Sequence, residues 1–254
     1  MKQQSYQAAN FSIEDKVVLI TGAGSGIGRA MAIGLADAGA KIAVIDRDFE
    51  SAHQVANEIG MQRAVAVECD VTDEEAVART VETTLDQWGR IDGLINNAGQ
   101  LHRCLVKDHT LADWQRIFEV NVMGTFLFAR AVLPQMIRQR NGRIVNFTSA
   151  LGVRSMPGGA AYGATKAAVT SFTNTLHQEV CGEGISVTAI APGLTNTPMA
   201  NDHMTSEYME RIAASYPGGR LGQPEDIIGL AHFLMTDASR HVSGTTLFVR
   251  PPGG

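Results

Sequence analysis

Eight residues near the start of the chain constrain its fold more than any others. Thr21-Gly22-Ala23-Gly24-Ser25-Gly26-Ile27-Gly28 follows a short apolar run, Val17-Val18-Leu19-Ile20, and opens a segment from Arg29 to Ala38 with apolar residues at helical spacing. Glycines there permit a tight strand-to-helix turn. They also let a pyrophosphate come close to the amino end of the helix, where backbone N–H groups point at it.

The rest of the chain repeats the alternation. Apolar runs at Ile42–Ile45, Ala64–Val67, Leu94–Ile95, Ile144–Phe147, Ile185–Thr188 and Thr246–Val249 stand between helical patterns over Phe49–Ile59, Asp73–Trp88, Leu111–Arg138, Ala160–Val180 and Pro224–Met235. Strands of continuous apolar character joined by helices imply a doubly wound α/β fold. Its parallel sheet of about seven strands is covered on both faces, and ligands bind beyond the strands' carboxyl ends. Gly39, Gly60 and Gly89 fall just past helical segments, where a glycine ends a helix. No repeat or Pro/Gly-rich linker divides the chain, so residues 1–14 read as an amino-terminal extension and 15–254 as a single domain. Residues 193–219, rich in Met, Thr, Asn and Pro, are long for a simple connection and read as an irregular, mobile segment covering the substrate.

Composition narrows the partners. A formal charge of -5 gives no basic field to hold a polyphosphate backbone, so nucleic acid is not expected. Cys69, Cys104 and Cys181 are odd in number and widely spaced, which argues against a disulfide framework and a zinc site and fits a reducing compartment. The seven histidines show no metal-ligand spacing, and no metal is expected. Met1 to Asn10 is polar, and the apolar stretches are interrupted by Gly, Asp, Arg or Lys before they could span a bilayer. The expectation is a soluble cytoplasmic protein with no membrane partner.

Asp46 ends the second apolar run, 18 residues beyond Gly28, where a carboxylate can accept hydrogen bonds from both hydroxyls of an adenosine ribose. A 2′-phosphate would meet like charge there. Arg47 could receive such a phosphate, but the acid in front of it, and the lack of a basic residue within Ala23–Ser25, favour NAD over NADP.

Further markers stand in order along the chain. Asn96-Asn97-Ala98-Gly99 follows the fourth strand, Asn121 lies in the next long helix, Ser149 ends the fifth strand, Tyr162 and Lys166 open the following helix, and Pro192-Gly193 precedes Thr197. With these markers the chain resembles the short-chain dehydrogenase/reductase family over almost its whole length. That resemblance implies a single-domain Rossmann fold, a secondary alcohol or ketone as substrate, and a homo-oligomer, a tetramer in many members. It implies a catalytic set of Asn121, Ser149, Tyr162 and Lys166. The cofactor would be held by Gly22, Ser25, Gly26, Ile27, Gly28 and Asp46, by Asp70 and Val71 at the adenine, by Asn97, Ala98 and Gly99, and by Tyr162, Lys166, Pro192, Gly193 and Thr197.

The chemistry explains the residue types. Oxidising an alcohol requires removal of its hydroxyl proton as hydride leaves carbon, and a phenol of pKa about 10 needs nearby positive charge to act as that base. Tyr162 and Lys166 are four apart on a helix and share a face, so the ammonium is expected beside the phenol, lowering its pKa. By resemblance, Lys166 also bonds the nicotinamide ribose, Ser149 donates to the substrate oxygen, and Asn121 holds a water in a proton path. Two alternatives stay open: an NADPH-dependent 3-oxoacyl-carrier-protein reductase, and a non-catalytic dinucleotide-binding regulator. Leu101 to Arg103, Leu151 to Met156, Leu194 and Met199 to Tyr216 are expected to shape the substrate pocket, with Arg103 and Arg154 hinting at an anionic substrate. The carboxyl end departs from the family pattern, with Arg250-Pro251-Pro252-Gly253-Gly254 where an aspartate usually precedes the final glycines.

Overall fold

The apolar runs form strands because each can be buried on both faces. In the computed structural model, which describes residues 9–154 and 156–250, these are β1 (Val17–Thr21), β2 (Lys41–Asp46), β3 (Ala64–Glu68), β4 (Gly93–Asn96), β5 (Gly142–Phe147), β6 (Ile185–Pro192) and β7 (Thr245–Val249). They make one parallel sheet in the order β3-β2-β1-β4-β5-β6-β7. Every residue of β1, β4, β5 and β6 is buried, whereas the edge strands β3 and β7 are mostly half-buried. The doubly wound Rossmann-like fold expected from the sequence is the fold observed.

Side chains alternate along each strand and so feed two cores. Val18, Ile20, Ile42 and Val44 pack against α1 (Gly26–Asp37), α2 (Phe49–Ile59) and α9 (Ile228–Met235). Val17, Leu19, Ala43 and Ile45 face the opposite layer, built from α3 (Glu74–Trp88), α5 (Gly124–Gln139) and α6 (Ala160–Val180). Each fully buried Leu, Ile or Val contributes roughly 1.5–3 kcal/mol. Local chemistry sets where the helices begin. Asp48 accepts from Ser51 N ahead of α2, and Asp73 accepts from Glu75 N and Ala76 N ahead of α3.

Three features differ from the sequence reading. Residues 193–219 are not irregular: they carry α7 (Pro198–His203) and α8 (Ser206–Ser215). The signals were present, since Thr197 and Thr205 cap the two helices through Ala200 N and Tyr208 N and Pro198 occupies the first turn of α7. Second, the expected helix from Leu111 to Arg138 is α4 (Leu111–Phe118) running into α5 through a π-helical turn at Glu119–Met123. Third, that continuous 29-residue helix is long and apolar enough by composition to cross a membrane, despite its interrupting charges. Half of its most apolar stretch is buried in this molecule, where Leu127, Phe128, Val132 and Met136 belong to the second core. Residues 1–8 of the expected extension and Pro251–Gly254 of the carboxyl-terminal departure lie outside the described residues, as does Ser155.

Candidate active site

β3 is an edge strand, and the chain crosses from it to β4 beside β1, so helices leave to opposite faces between β1 and β4. A crevice opens at such a point beyond the strands' carboxyl ends. It is here a cavity of about 530 Å³, a size suited to a small-molecule site.

The glycine turn lies under this cavity, and its residues fit a diphosphate. Gly22 has a positive φ of 64°, and a Cβ there would stand 2.9 Å from Ala98 Cα. Asn97 pins the turn to the end of β4: its Nδ2 donates to Thr21 O (3.0 Å) and Gly22 O (3.1 Å). Thr21 Oγ1 in return accepts from the N–H groups of Asn97 (3.1 Å) and Ala98 (3.0 Å). Gly22, Ser25, Gly26 and Ile27 line the cavity, as do Asn97, Ala98 and Gly99. Ser25 makes no side-chain cap, and the first turn of α1 holds no acid, so its amide groups are available to an anion. Gly28 does not line the cavity. A Cβ on it would meet Gly22 O at 2.0 Å, so its part is to let α1 pack against the turn.

At one end of the cavity stand Asp46, Arg47, Asp70 and Val71. Asp46 is oriented by backbone donors, Gly24 N at 3.0 Å and Asp48 N at 3.1 Å. Asp70 accepts from Thr72 N (2.9 Å) and Thr72 Oγ1 (2.7 Å) and pairs with Arg116 at 3.4 Å. Its pKa is lowered: burial pushes the other way, but the Thr72 bonds and the Arg116 guanidinium outweigh it. Arg116 also lines the cavity, and nothing in its local sequence marks it, because only the fold brings α4 to Asp70, with which Arg116 pairs.

At the other end the cavity is lined by Ser149, Tyr162 and Lys166, with Pro192, Gly193 and Thr197 close by. Ser149 follows β5 and accepts from Leu151 N at 3.2 Å, which opens a turn of 3₁₀ helix over Ala150–Gly152. Tyr162 and Lys166 sit in the first two turns of α6. The lysine is 4 % exposed, and its Nζ donates to Phe147 O at 2.8 Å and stands 5.6 Å from the centroid of the Tyr162 ring. Burial pulls the ammonium down to about 8. The phenol is pushed up to about 12 by burial, with Ser149 pulling weakly against it. The lowering expected from the Lys166 charge is not seen within the protein's own groups: the ammonium lies over the ring and against a carbonyl, and desolvation wins.

Asn121 is fully buried and does not line the cavity. Its Oδ1 accepts from Gln100 N (2.7 Å), and its Nδ2 donates to Gln100 O and Thr165 Oγ1, both at 3.0 Å. It therefore clamps the strand end carrying Gly99 onto α6, and it does so from the π-helical turn, a local widening often found at functional sites. The nearby Gly99 shows how close the parts lie: a Cβ on it would stand 3.2 Å from Asn121 Oδ1 and 3.5 Å from Lys166 Nζ. Of the residues expected to shape the substrate end, Leu101, Arg103, Leu151, Arg154, Met156 and several from α7 and α8 do line the cavity. His102 does not; it lies 4.0 Å from Asp113 and beside the His109 ring. Among the described residues no cluster of metal-ligating side chains is present.

Comparison with known proteins adds a family and several relatives. Residues 16–207 match the family model described as short chain dehydrogenase. A 3-oxoacyl-[acyl-carrier-protein] reductase from Synechocystis sp. is 39% identical over 238 residues, 92% of this chain and 95% of that protein. A 3-ketoacyl-(acyl-carrier-protein) reductase from Brucella melitensis, solved with NADH, superposes with a TM-score of 0.89 at 37% identity, covering 94% of this chain and 98% of that one. A 7α-hydroxysteroid dehydrogenase complexed with NADH and 7-oxo glycochenodeoxycholic acid gives 0.92 at 33% identity over 98% of both chains.

Proposed function

Because the chain belongs to the short-chain dehydrogenase family, in which its relatives act on CH–OH or keto groups, we propose that it exchanges a hydride between NAD(H) and a secondary alcohol or ketone, with Tyr162 passing the hydroxyl proton. The observation that carries this reading is the single cavity with Ser149, Tyr162 and Lys166 at one end and a backbone-oriented Asp46 at the other. The glycine turn and the amino end of α1 would hold the diphosphate, Asp46 the adenosine ribose, Asp70 and Val71 the adenine, and Pro192, Gly193 and Thr197 the nicotinamide end. Bound nicotinamide would supply the hydride or accept it.

The protein's own groups handle the proton and the developing charge. Ser149 donates to the substrate oxygen, where negative charge accumulates during hydride transfer. Tyr162, protonated at neutral pH, gives its proton to that oxygen in reduction and takes it back in oxidation. Lys166 keeps positive charge near the ring at and below pH about 8, and Asn121 holds Gln100 and α6 in register with it.

NAD is favoured over NADP by the carboxylate of Asp46 beside the turn, and two similar solved structures hold NADH. The 3-oxoacyl-carrier reductase reading draws on the Synechocystis and Brucella relatives, while the net charge of -5 offers an acidic carrier little attraction. Exposed Met123, Phe126 and Ile137 along one helix support a homo-oligomer, and the free cysteines suit a cytoplasmic setting. Residues 193–219, as α7 and α8, would cover the substrate.

The test is a titration with NADH and NADPH, read by quenching of Trp88 and Trp114. NADH is expected to bind more tightly, and Asp46→Ala is expected to narrow the difference. Tighter NADPH binding by the unmodified chain would favour the carrier-reductase reading, and binding of neither would remove the dehydrogenase reading altogether.

A further inference from the structure

The substrate end of the cavity has a charge pattern that the reaction itself does not use. Two guanidinium groups, Arg103 and Arg154, line it beside the covering segment, and a third, the exposed Arg250, lines it next to Gly193, while among the described residues the only carboxylates lining the cavity are Asp46 and Asp70, at the adenosine end. Among the described residues neither Arg103 nor Arg154 has a carboxylate within ion-pair distance. Arg103 is half-buried and lies over the ring of Tyr208, 5.1 Å from its centroid, and Arg211 lies 5.2 Å from the same centroid. Tyr208 is on α8, the helix that covers this end.

Two like charges gathered on one ring repel each other, and the aromatic face offsets only part of that. A guanidinium lying over a ring still offers in-plane N–H groups, which suit the paired oxygens of a carboxylate or phosphate. Asp202, Glu207 and Glu210, the acids of the same covering segment, are exposed and do not line the cavity. Leu101, Leu151, Met156, Met204 and Ile212 line the same cavity and give it apolar wall.

We infer that the substrate has an apolar body carrying the alcohol or ketone at one end and an anionic group at the other, received by Arg103, over Tyr208 of α8, and by the exposed Arg154 that lines the same cavity. The inference rests on the dehydrogenase reading for where the carbinol lies. The anion has two chemical sources: the carboxylate of a hydroxy or oxo acid, and the phosphates of a nucleotide-bearing thioester.

Equilibrium binding in the presence of oxidised NAD, which cannot reduce an oxo probe, tests the inference apart from turnover. One pair of probes is an apolar oxo acid and its neutral methyl amide; the other is acetoacetyl-CoA and the neutral acetoacetyl-N-acetylcysteamine. In at least one pair the anionic member is expected to bind roughly tenfold or more tightly, the scale of a charged hydrogen bond, and that pair names the source. The preference should fall towards unity in Arg103→Met and Arg154→Met, and part of it should return in Arg103→Lys, which keeps charge but not the fork. Equal binding within both pairs, or a preference that survives both methionine variants, overturns the inference. Failure of the dehydrogenase reading shows itself differently, as absence of hydride transfer to or from any probe that binds.

Discussion

At the scale of single residues, the site pairs a phenol held protonated with an ammonium drawn towards neutrality. Burial raises Tyr162 to about 12 and lowers Lys166 to about 8, so at pH 7 the pair is a neutral acid beside a cation. That state suits ketone reduction, which needs a proton donor. Alcohol oxidation needs the phenolate, so its kcat/KM should rise with pH across the neutral range, while the reduction rate should be flat there and fall once the proton is lost. Tyr162→Phe is expected to lower kcat in both directions by roughly 10²–10⁴-fold and to leave NADH binding nearly intact, because it deletes the proton and little surface. Parallel pH profiles for the variant and the unmodified chain, at similar rates, would remove Tyr162 from the chemistry. Lys166 beside the phenol was legible in the four-residue spacing, but the net direction of the phenol's shift was not. Spacing says which side chains meet, whereas the balance between attraction and desolvation depends on how much water the fold removes.

At the scale of elements, the glycine turn and the π-helical turn show what patterns can and cannot reveal. The family motif makes Gly28 a cofactor contact, yet it stands off the cavity, and the space its missing Cβ would need is filled by Gly22 O. Gly28→Ala should therefore act through packing. It forces α1 away from the turn at a cost of about 1–3 kcal/mol, lowering the urea midpoint and weakening NADH together, since Ser25 and Gly26 move with the helix. A variant that kept its midpoint but lost NADH would restore the contact role. The alternation of strands and helices, the parallel sheet covered on both faces and most of the residues that line the cavity were legible, because β-branched runs, helical spacing and glycines at turns are local signals. The π turn at Glu119–Met123 was not, for nothing in Glu119-Val120-Asn121-Val122-Met123 breaks helical spacing; the bonds of Asn121 to Gln100 and Thr165 link it to distant segments. Helices α7 and α8 were passed over for a different reason. They are short, and a Met- and Asn-rich composition masked two ordinary threonine caps.

At the scale of the whole molecule, a parallel sheet separates chemistry from support. The carboxyl ends of the strands lead into Gly22, Asp46, Asp70, Asn97, Ser149 and Gly193, all lining one cavity. The amino ends meet a partly buried charge network instead. Asp92 accepts from Val17 N at 3.0 Å and from Arg90, and Arg143, 4 % exposed, donates to Thr236 O, Gly142 O and Asp237, which also holds Lys16. This network ties β1, β4 and β5 to the end of α9 without approaching the site. Arg143→Met would leave the Gly142 and Thr236 carbonyls without that donor in a place water reaches poorly, at a cost of about 1–3 kcal/mol. The urea midpoint should fall with the slope unchanged, as for a folded state that is weaker but equally compact. NADH affinity, measured on the folded fraction, should be unaltered, because every residue expected to hold the cofactor lies at the other end of the strands. If affinity fell in proportion to stability, the two ends of the sheet would be coupled, and the fold would transmit strain along β5 from Arg143 to Ser149 rather than isolate the site from its support.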